Sequence, residues 1–206
     1  MDHASAIPMD HAEPGVGVAN MKLGMWVFLL SEVMFFTALI GSYVILRSAR
    51  PDAFAAPGEV LNVPLTAFNT FLLICSSVTM VKAFASIEEG DQKGLRRWLL
   101  ATVALGTFFL SVQVVEYLAL SAEGFVPMAD RYAAHGEPLY GALFYTLTGF
   151  HGAHVTLGVL ALIWITFRAF RGRYTRESHA GVETMGLYWH FVDLVWILLF
   201  TIVYLI

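Results

Sequence analysis

Five long apolar runs separated by short polar stretches make up most of this 206-residue chain. Each run is long enough to cross a hydrocarbon layer of roughly 30 Å, which takes about 20 residues at 1.5 Å per residue. Backbone facing lipid must satisfy its own hydrogen bonds, so all five runs are predicted as helices, over 23–46, 65–87, 97–120, 140–167 and 187–206. The expected fold class is all-α: a polytopic membrane bundle of five transmembrane helices. Residues 1–21 read as a flexible tail and residues 22–206 as the transmembrane domain.

The links are short and carry turn signals. RPDAFAAPGEVLNVP, after the first run, is rich in Pro and Gly and reads as an extra-helical loop. EEGDQKGLRRW, after the second, is the most charged segment and reads as a tight aqueous turn. Nine of the twelve Lys and Arg residues fall on the side that holds the N-terminus and the 88–96 and 168–186 links. Cationic loops stay on the cytoplasmic side, so the N-terminus is expected there and the C-terminus on the opposite side.

Composition agrees with a membrane bundle. Hydrophobic residues make up 58% of the chain and charged residues 14%, about half the usual soluble fraction. A net charge of −4 gives no basic surface for nucleic acid. Cys75 is the single cysteine, which excludes an intrachain disulfide and a Cys-rich metal centre. The chain carries no phosphate-cradling Gly-rich loop, no Cys-X-X-Cys-His, no nucleophile elbow and no HEXXH. The Met-Asp-His repeats at 1–3 and 9–11 read as part of the tail rather than as a metal site.

The informative residues are ionisable groups inside the apolar runs, where they are expensive and call for a reason. Glu32 lies about ten residues into the first run, some 13–15 Å from its entry side. Glu116 falls near the exit of the third run, with Gln113 and Tyr117 beside it. His151 and His154 share a helical face in the fourth, and His190 and Asp193 repeat the i, i+3 spacing in the fifth. Imidazoles at that spacing can bind metal or haem if other ligands converge on them; hydrogen-bonded helix packing is the simpler reading. Gly149, Gly152 and Gly158 favour packing by letting another helix approach. Counted from the cytoplasmic ends, Glu32, His190 and Asp193 lie in the inner half of the membrane, as an internal polar network or as a contact that supports proton movement in a partner.

Six blocks in order resemble subunit III of the haem–copper respiratory oxidases: LGMWVFLLSEVMFF, FNTFLLICSS, EEGDQKG, QVVEY, TGFHGAHVTLG and GVETMGLYWHFVDLVW. The resemblance covers about 180 residues, in a five-helix form two helices shorter than the long family form. It implies a noncatalytic accessory subunit of cytochrome c oxidase in a bacterial inner membrane, with haem and copper in partner subunits and no cofactor of its own beyond bound phospholipid. Subunit I is the implied direct partner, with subunit II and other oxidase subunits in the complex. The implied role is to stabilise subunit I, sustain its proton uptake and assist oxygen access. Glu32 matches the family's membrane-embedded, carbodiimide-reactive carboxylate, and His151, His154, Glu183, His190 and Asp193 match its characteristic polar positions. A quinol oxidase or nitric-oxide-reductase-linked relative is the alternative within the family, and a free-standing transporter or channel the alternative outside it.

Overall fold

A computed structural model describes residues 14–54, 58–126 and 138–206. The Met-Asp-His repeats and the rest of residues 1–13 lie outside the described residues. The described chain contains five helices: α1 (Pro14–Ala49), α2 (Val63–Glu88), α3 (Gln92–Ala122), α4 (Pro138–Phe170) and α5 (Ala180–Phe200). All five are long and apolar enough to cross a membrane. α2, α3, α4 and α5 close a ring in which each packs on the next, and α1 rides outside it against α5, with a smaller contact to α4. Only 11% of the apolar window of α1 is buried, against 56% for α5. α5 is therefore the shared wall of the bundle and α1 its least enclosed helix.

Every helix begins before its predicted run. α1 begins at Pro14, inside the expected tail, and α3 begins at Gln92 because Asp91 caps it, its carboxylate accepting from the Lys93 amide at 3.0 Å. The aqueous turn between α2 and α3 thus shrinks to Glu89, Gly90 and Asp91, with Gly90 at φ +82°. α5 begins seven residues before the expected start. Polar Glu183 and Thr184 disguise its first turns as a link, but Glu183 is satisfied by a 2.7 Å ion pair to Lys22 of α1. With this earlier start, Asp193 lies at the middle of the Ala180–Leu205 span rather than toward the start of its run. Glu32 is likewise close to the middle of Asn20–Ala49.

The first loop is more structured than its composition suggests. Pro51–Ala53 forms a turn of 3₁₀ helix, and Phe54 inserts its ring between Tyr43 of α1 and Tyr140 of α4 at 5.5 and 5.3 Å. Asn62 then caps α2 by accepting from the Leu65 amide at 3.1 Å. After Phe200 the chain widens into a π-helical turn, Thr201–Leu205, which buries Tyr204.

Two glycines admit the largest core side chain. Trp189 of α5 lies so close to Gly106 of α3 and Gly158 of α4 that a Cβ at either position would meet its ring at 2.8 or 2.9 Å. Gly152 plays the same part for Gln113, at 2.9 Å. Gly149 does not, since the nearest atom is 4.0 Å away. Of the three glycines expected to permit helix approach, 152 and 158 do so in this bundle.

Candidate functional site

The ionisable residues separate into distinct sites set by which neighbour each helix face meets. His151 and His154 are one turn apart on α4 but enter different interfaces. His154 points to α1, where its Nε2 lies 3.0 Å from Glu32 Oε2. Its Nδ1 is 2.7 Å from the Phe150 carbonyl, which can only accept, so Nδ1 carries a hydrogen. The remaining nitrogen either donates to a Glu32 carboxylate or accepts from a Glu32 carboxylic acid. In both arrangements one proton lies between the two side chains, and it can pass across the bond without breaking it. Phe35 and Phe36 flank the imidazole at 6.3 and 5.1 Å, and Tyr188 donates to the His154 carbonyl at 2.9 Å. The pair is half-buried, with 16% and 17% of the two side chains exposed.

His151 turns into the core and is fully buried. It stacks on Trp196 at 4.8 Å and meets the edge of Phe109 at 6.1 Å, while neither ring nitrogen has a hydrogen-bond partner among the described residues. The expected hydrogen-bonded packing is therefore found at His154 and not at His151, which packs through its ring face on Trp196.

Glu116 forms the second site, at the far end of the bundle. Thr66 Oγ1 donates to its Oε1 at 3.0 Å and Tyr204 Oη to its Oε2 at 3.2 Å, tying α2 and the π-helical turn to α3. Its helical neighbours serve α4 instead: Gln113 donates to the Thr148 carbonyl at 3.0 Å, and the Tyr117 and Thr148 hydroxyls are 2.6 Å apart. Neither Thr66 nor Tyr204 was singled out from sequence. Thr66 looks like an ordinary packing hydroxyl, and Tyr204 reaches Glu116 only through the widened last turn.

The third site is the α2–α5 seam. Ser77 Oγ donates to Asp193 Oδ2 at 2.7 Å, Trp189 Nε1 to Ser76 Oγ at 2.9 Å and Trp196 Nε1 to Thr70 Oγ1 at 2.9 Å. The small hydroxyls of α2 are therefore acceptors and donors for α5 as well as packing residues. His190 is near Asp193 in sequence but lies on the outer side of α5, half-buried, in the wall of two surface grooves. Asp193 Oδ1 is buried without a hydrogen-bond partner among the described residues. Among the described residues, no three His, Cys, Asp or Glu side chains come together in a way that could hold a metal ion. Among the same residues, no hydrogen bond joins Glu32 and His154 to the Asp193 or Glu116 sites.

Residues 10–206 match the family described as cytochrome c oxidase subunit III. The chain is 36% identical over 205 residues to cytochrome c oxidase subunit 3 of Thermostichus vulcanus, covering 98% of this chain and 94% of that one. It is 40% identical over 184 residues to the cytochrome c oxidase subunit 3 of a Synechocystis strain, covering 89% and 74%. It is also 33% identical over 207 residues to quinol oxidase subunit 3 of Bacillus spizizenii, covering 96% and 97%.

Proposed function

The chain belongs to the cytochrome c oxidase subunit III family, non-catalytic accessory subunits of haem–copper oxidases, and we propose that it supports proton uptake by the catalytic subunit I it packs against. The observation that carries this reading is the Glu32–His154 pair. A carboxyl and an imidazole meet at 3.0 Å near the middle of their spans, in a half-buried position between α1 and α4. Such a pair holds a proton within the hydrocarbon region and stays bonded in either protonation arrangement. It is suited to buffering a neighbour's proton supply. It is not a path through this chain, because the polar sites are closed into separate groups with aromatic rings between them. The same separation gives the transporter alternative no support.

Glu116, Asp193, Glu183 and His151 take structural parts in this proposal. They join α3 to α2 and the last turn, α5 to α2, α5 to α1, and α4 to α5 respectively. The bundle is placed in a bacterial inner membrane with its N-terminus and the 89–91 and 171–179 links on the cytoplasmic side. The support is the clustering of Lys93, Arg96, Arg97, Arg171, Arg173 and Arg176 at that end. Subunit II and the other oxidase subunits are indirect partners, and haem and copper belong to those chains rather than to this one. Cytochrome c is the favoured donor of the complex. The similarity to a Bacillus quinol oxidase subunit supports the second reading, quinol as donor.

The test is purification of the tagged chain in mild detergent, with mass spectrometry and a reduced-minus-oxidised spectrum. The expected result is co-purified haem–copper subunits whose oxidase activity uses cytochrome c. Turnover with quinol alone moves the chain to the quinol branch, and a folded chain that repeatedly purifies without haem overturns the subunit reading.

A further inference from the structure

Three ring side chains stand in a row on the inner face of α5 and its last turn: Trp189, Trp196 and Tyr204. The first two are seven residues apart, two turns of helix and about 10 Å of rise. Tyr204 follows eight residues later, and the widened π-helical turn keeps it on the same face, with its ring 6.3 Å from that of Trp196. All three are enclosed by the bundle, none more than 1% exposed. Indole and phenol are among the side chains most readily oxidised by one electron. Electron tunnelling falls off exponentially with distance, so a row this close conducts an oxidising equivalent along the bundle. Each ring donates one hydrogen bond, and the acceptors differ in one chemical respect. Trp189 Nε1 donates to Ser76 Oγ and Trp196 Nε1 to Thr70 Oγ1, both at 2.9 Å. An aliphatic hydroxyl satisfies an indole but is too weak a base to take its proton. Tyr204 Oη donates to Glu116 Oε2 at 3.2 Å and Thr66 to the other carboxyl oxygen, so both oxygens accept, as those of a carboxylate do. Packing accounts for the two indole bonds. A base set on a buried phenol is what an oxidised tyrosine needs, because its radical cation is a strong acid and persists only once the proton has left.

We propose that Trp189, Trp196 and Tyr204 form an electron-transfer relay that carries an oxidising equivalent from mid-membrane to the Tyr204–Glu116 pair and holds it there. The oxidant is of the oxygen-centred radical class, which arises where O2 is reduced in a membrane. It takes one electron from Trp189 and becomes an anion, and Trp196 refills Trp189. Tyr204 then gives one electron to the Trp196 radical cation while its O–H bond breaks and the proton bonds to Glu116 Oε2. The products are two closed-shell indoles, a neutral tyrosyl radical and a carboxylic acid. The positive hole and the buried carboxylate charge cancel in that step, which is why the equivalent rests at Tyr204 rather than at either indole. Glu32 and His154 take no part, so the relay stands apart from proton support.

Cys75, the single cysteine, is half-buried on α2 and precedes Ser76, the acceptor of the Trp189 indole. A ruthenium polypyridyl photo-oxidant attached to its thiol, in the full chain in detergent, therefore enters at the Trp189 end. After a flash with an electron acceptor present, transient absorption and electron paramagnetic resonance identify the radicals. The expected result in the wild-type chain is a tryptophanyl radical that gives way to a neutral tyrosyl radical. Tyr204→Phe should lose the tyrosyl radical and leave the tryptophanyl one. Glu116→Gln should do the same, since an amide does not take the proton, and Trp196→Phe should cut the tyrosyl yield by opening a gap in the row. Thr66→Val removes the other hydrogen bond to Glu116 but leaves phenol and carboxylate in place, so it should keep the tyrosyl radical. A tyrosyl radical that survives Tyr204→Phe or Glu116→Gln undiminished overturns the relay. So does its absence from the wild-type chain, an unchanged yield in Trp196→Phe, or its loss in Thr66→Val, which would trace the effect to a loosened fold.

Discussion

Glu32 and His154, 122 residues apart in sequence, meet at 3.0 Å across the α1–α4 interface. α1 has few other contacts with α4, so this bond is a principal link between those helices. Glu32→Ala leaves His154 Nε2 without its partner, a loss of about 1–3 kcal/mol, small against the packing that holds α1 to α5. The variant is therefore expected to assemble and to lose oxidase activity faster during sustained turnover, with His154→Ala behaving alike. Activity followed over successive turnovers in reconstituted vesicles checks this, and decay indistinguishable from wild type removes the proton-support role.

Gly106→Ala and Gly158→Ala each drive a methyl group against the Trp189 ring, at 2.8 and 2.9 Å. Overpacking of this kind costs about 1–3 kcal/mol. Gly149→Ala, whose new methyl would find its nearest neighbour at 4.0 Å, should be close to neutral. Thermal unfolding of the three variants in one detergent distinguishes them, and equal midpoints would show that Trp189 is not wedged between α3 and α4.

Thr66→Val and Tyr204→Phe each remove one donor from buried Glu116. Each should destabilise the bundle by about 1 kcal/mol or more. The double variant, which leaves the carboxylate without either bond, should depart from additivity. Strict additivity in a double-mutant cycle would mean that the two hydroxyls do not act on a common group.

Asp193→Ala removes the acceptor of the Ser77 hydroxyl at mid-span, and Ser77→Ala removes the donor and strands the carboxyl. Both should loosen α5 from α2, by about 1–3 kcal/mol for whichever leaves a buried group unpaired. Proteolysis of the 171–179 link in detergent reports the loosening; wild-type resistance in both variants would count against the seam.

Asp91, in the aqueous α2–α3 turn, has its carboxyl held below the ordinary carboxylate range, first by the Gly94 backbone amide and also by the Lys93 amide and the Arg97 and Lys93 charges. A pKa lowered on folding contributes stability that is present above the unfolded value, about 3.9, and is lost as pH falls through the folded value. Acidification below that range should fray the start of α3, and Asp91→Asn should flatten this part of the pH profile. Hydrogen exchange at the Lys93 and Gly94 amides between neutral and acid pH is the measurement; identical profiles for the two proteins would rule out the carboxylate cap.

The five-helix architecture and the ionisable residues inside the spans were legible in the sequence because both follow from local chemistry. A lipid-facing run of twenty apolar residues has few alternatives to a helix, and a charge inside such a run is conspicuous wherever the helix packs. Helix ends were less legible, since Glu183 and Asp91 are read as link residues until their partners, Lys22 and the α3 amides, are known. Which polar residue meets which was decided by the tertiary structure alone. The i, i+3 rule puts His151 and His154 close together on α4, yet a rotation of about 60° is enough to send one against Trp196 and the other to Glu32. The same spacing separates His190, at the open grooves, from Asp193, bonded to Ser77 in the seam. Sequence fixes the angle between two side chains on one helix, but only the placement of neighbouring helices determines what each angle faces.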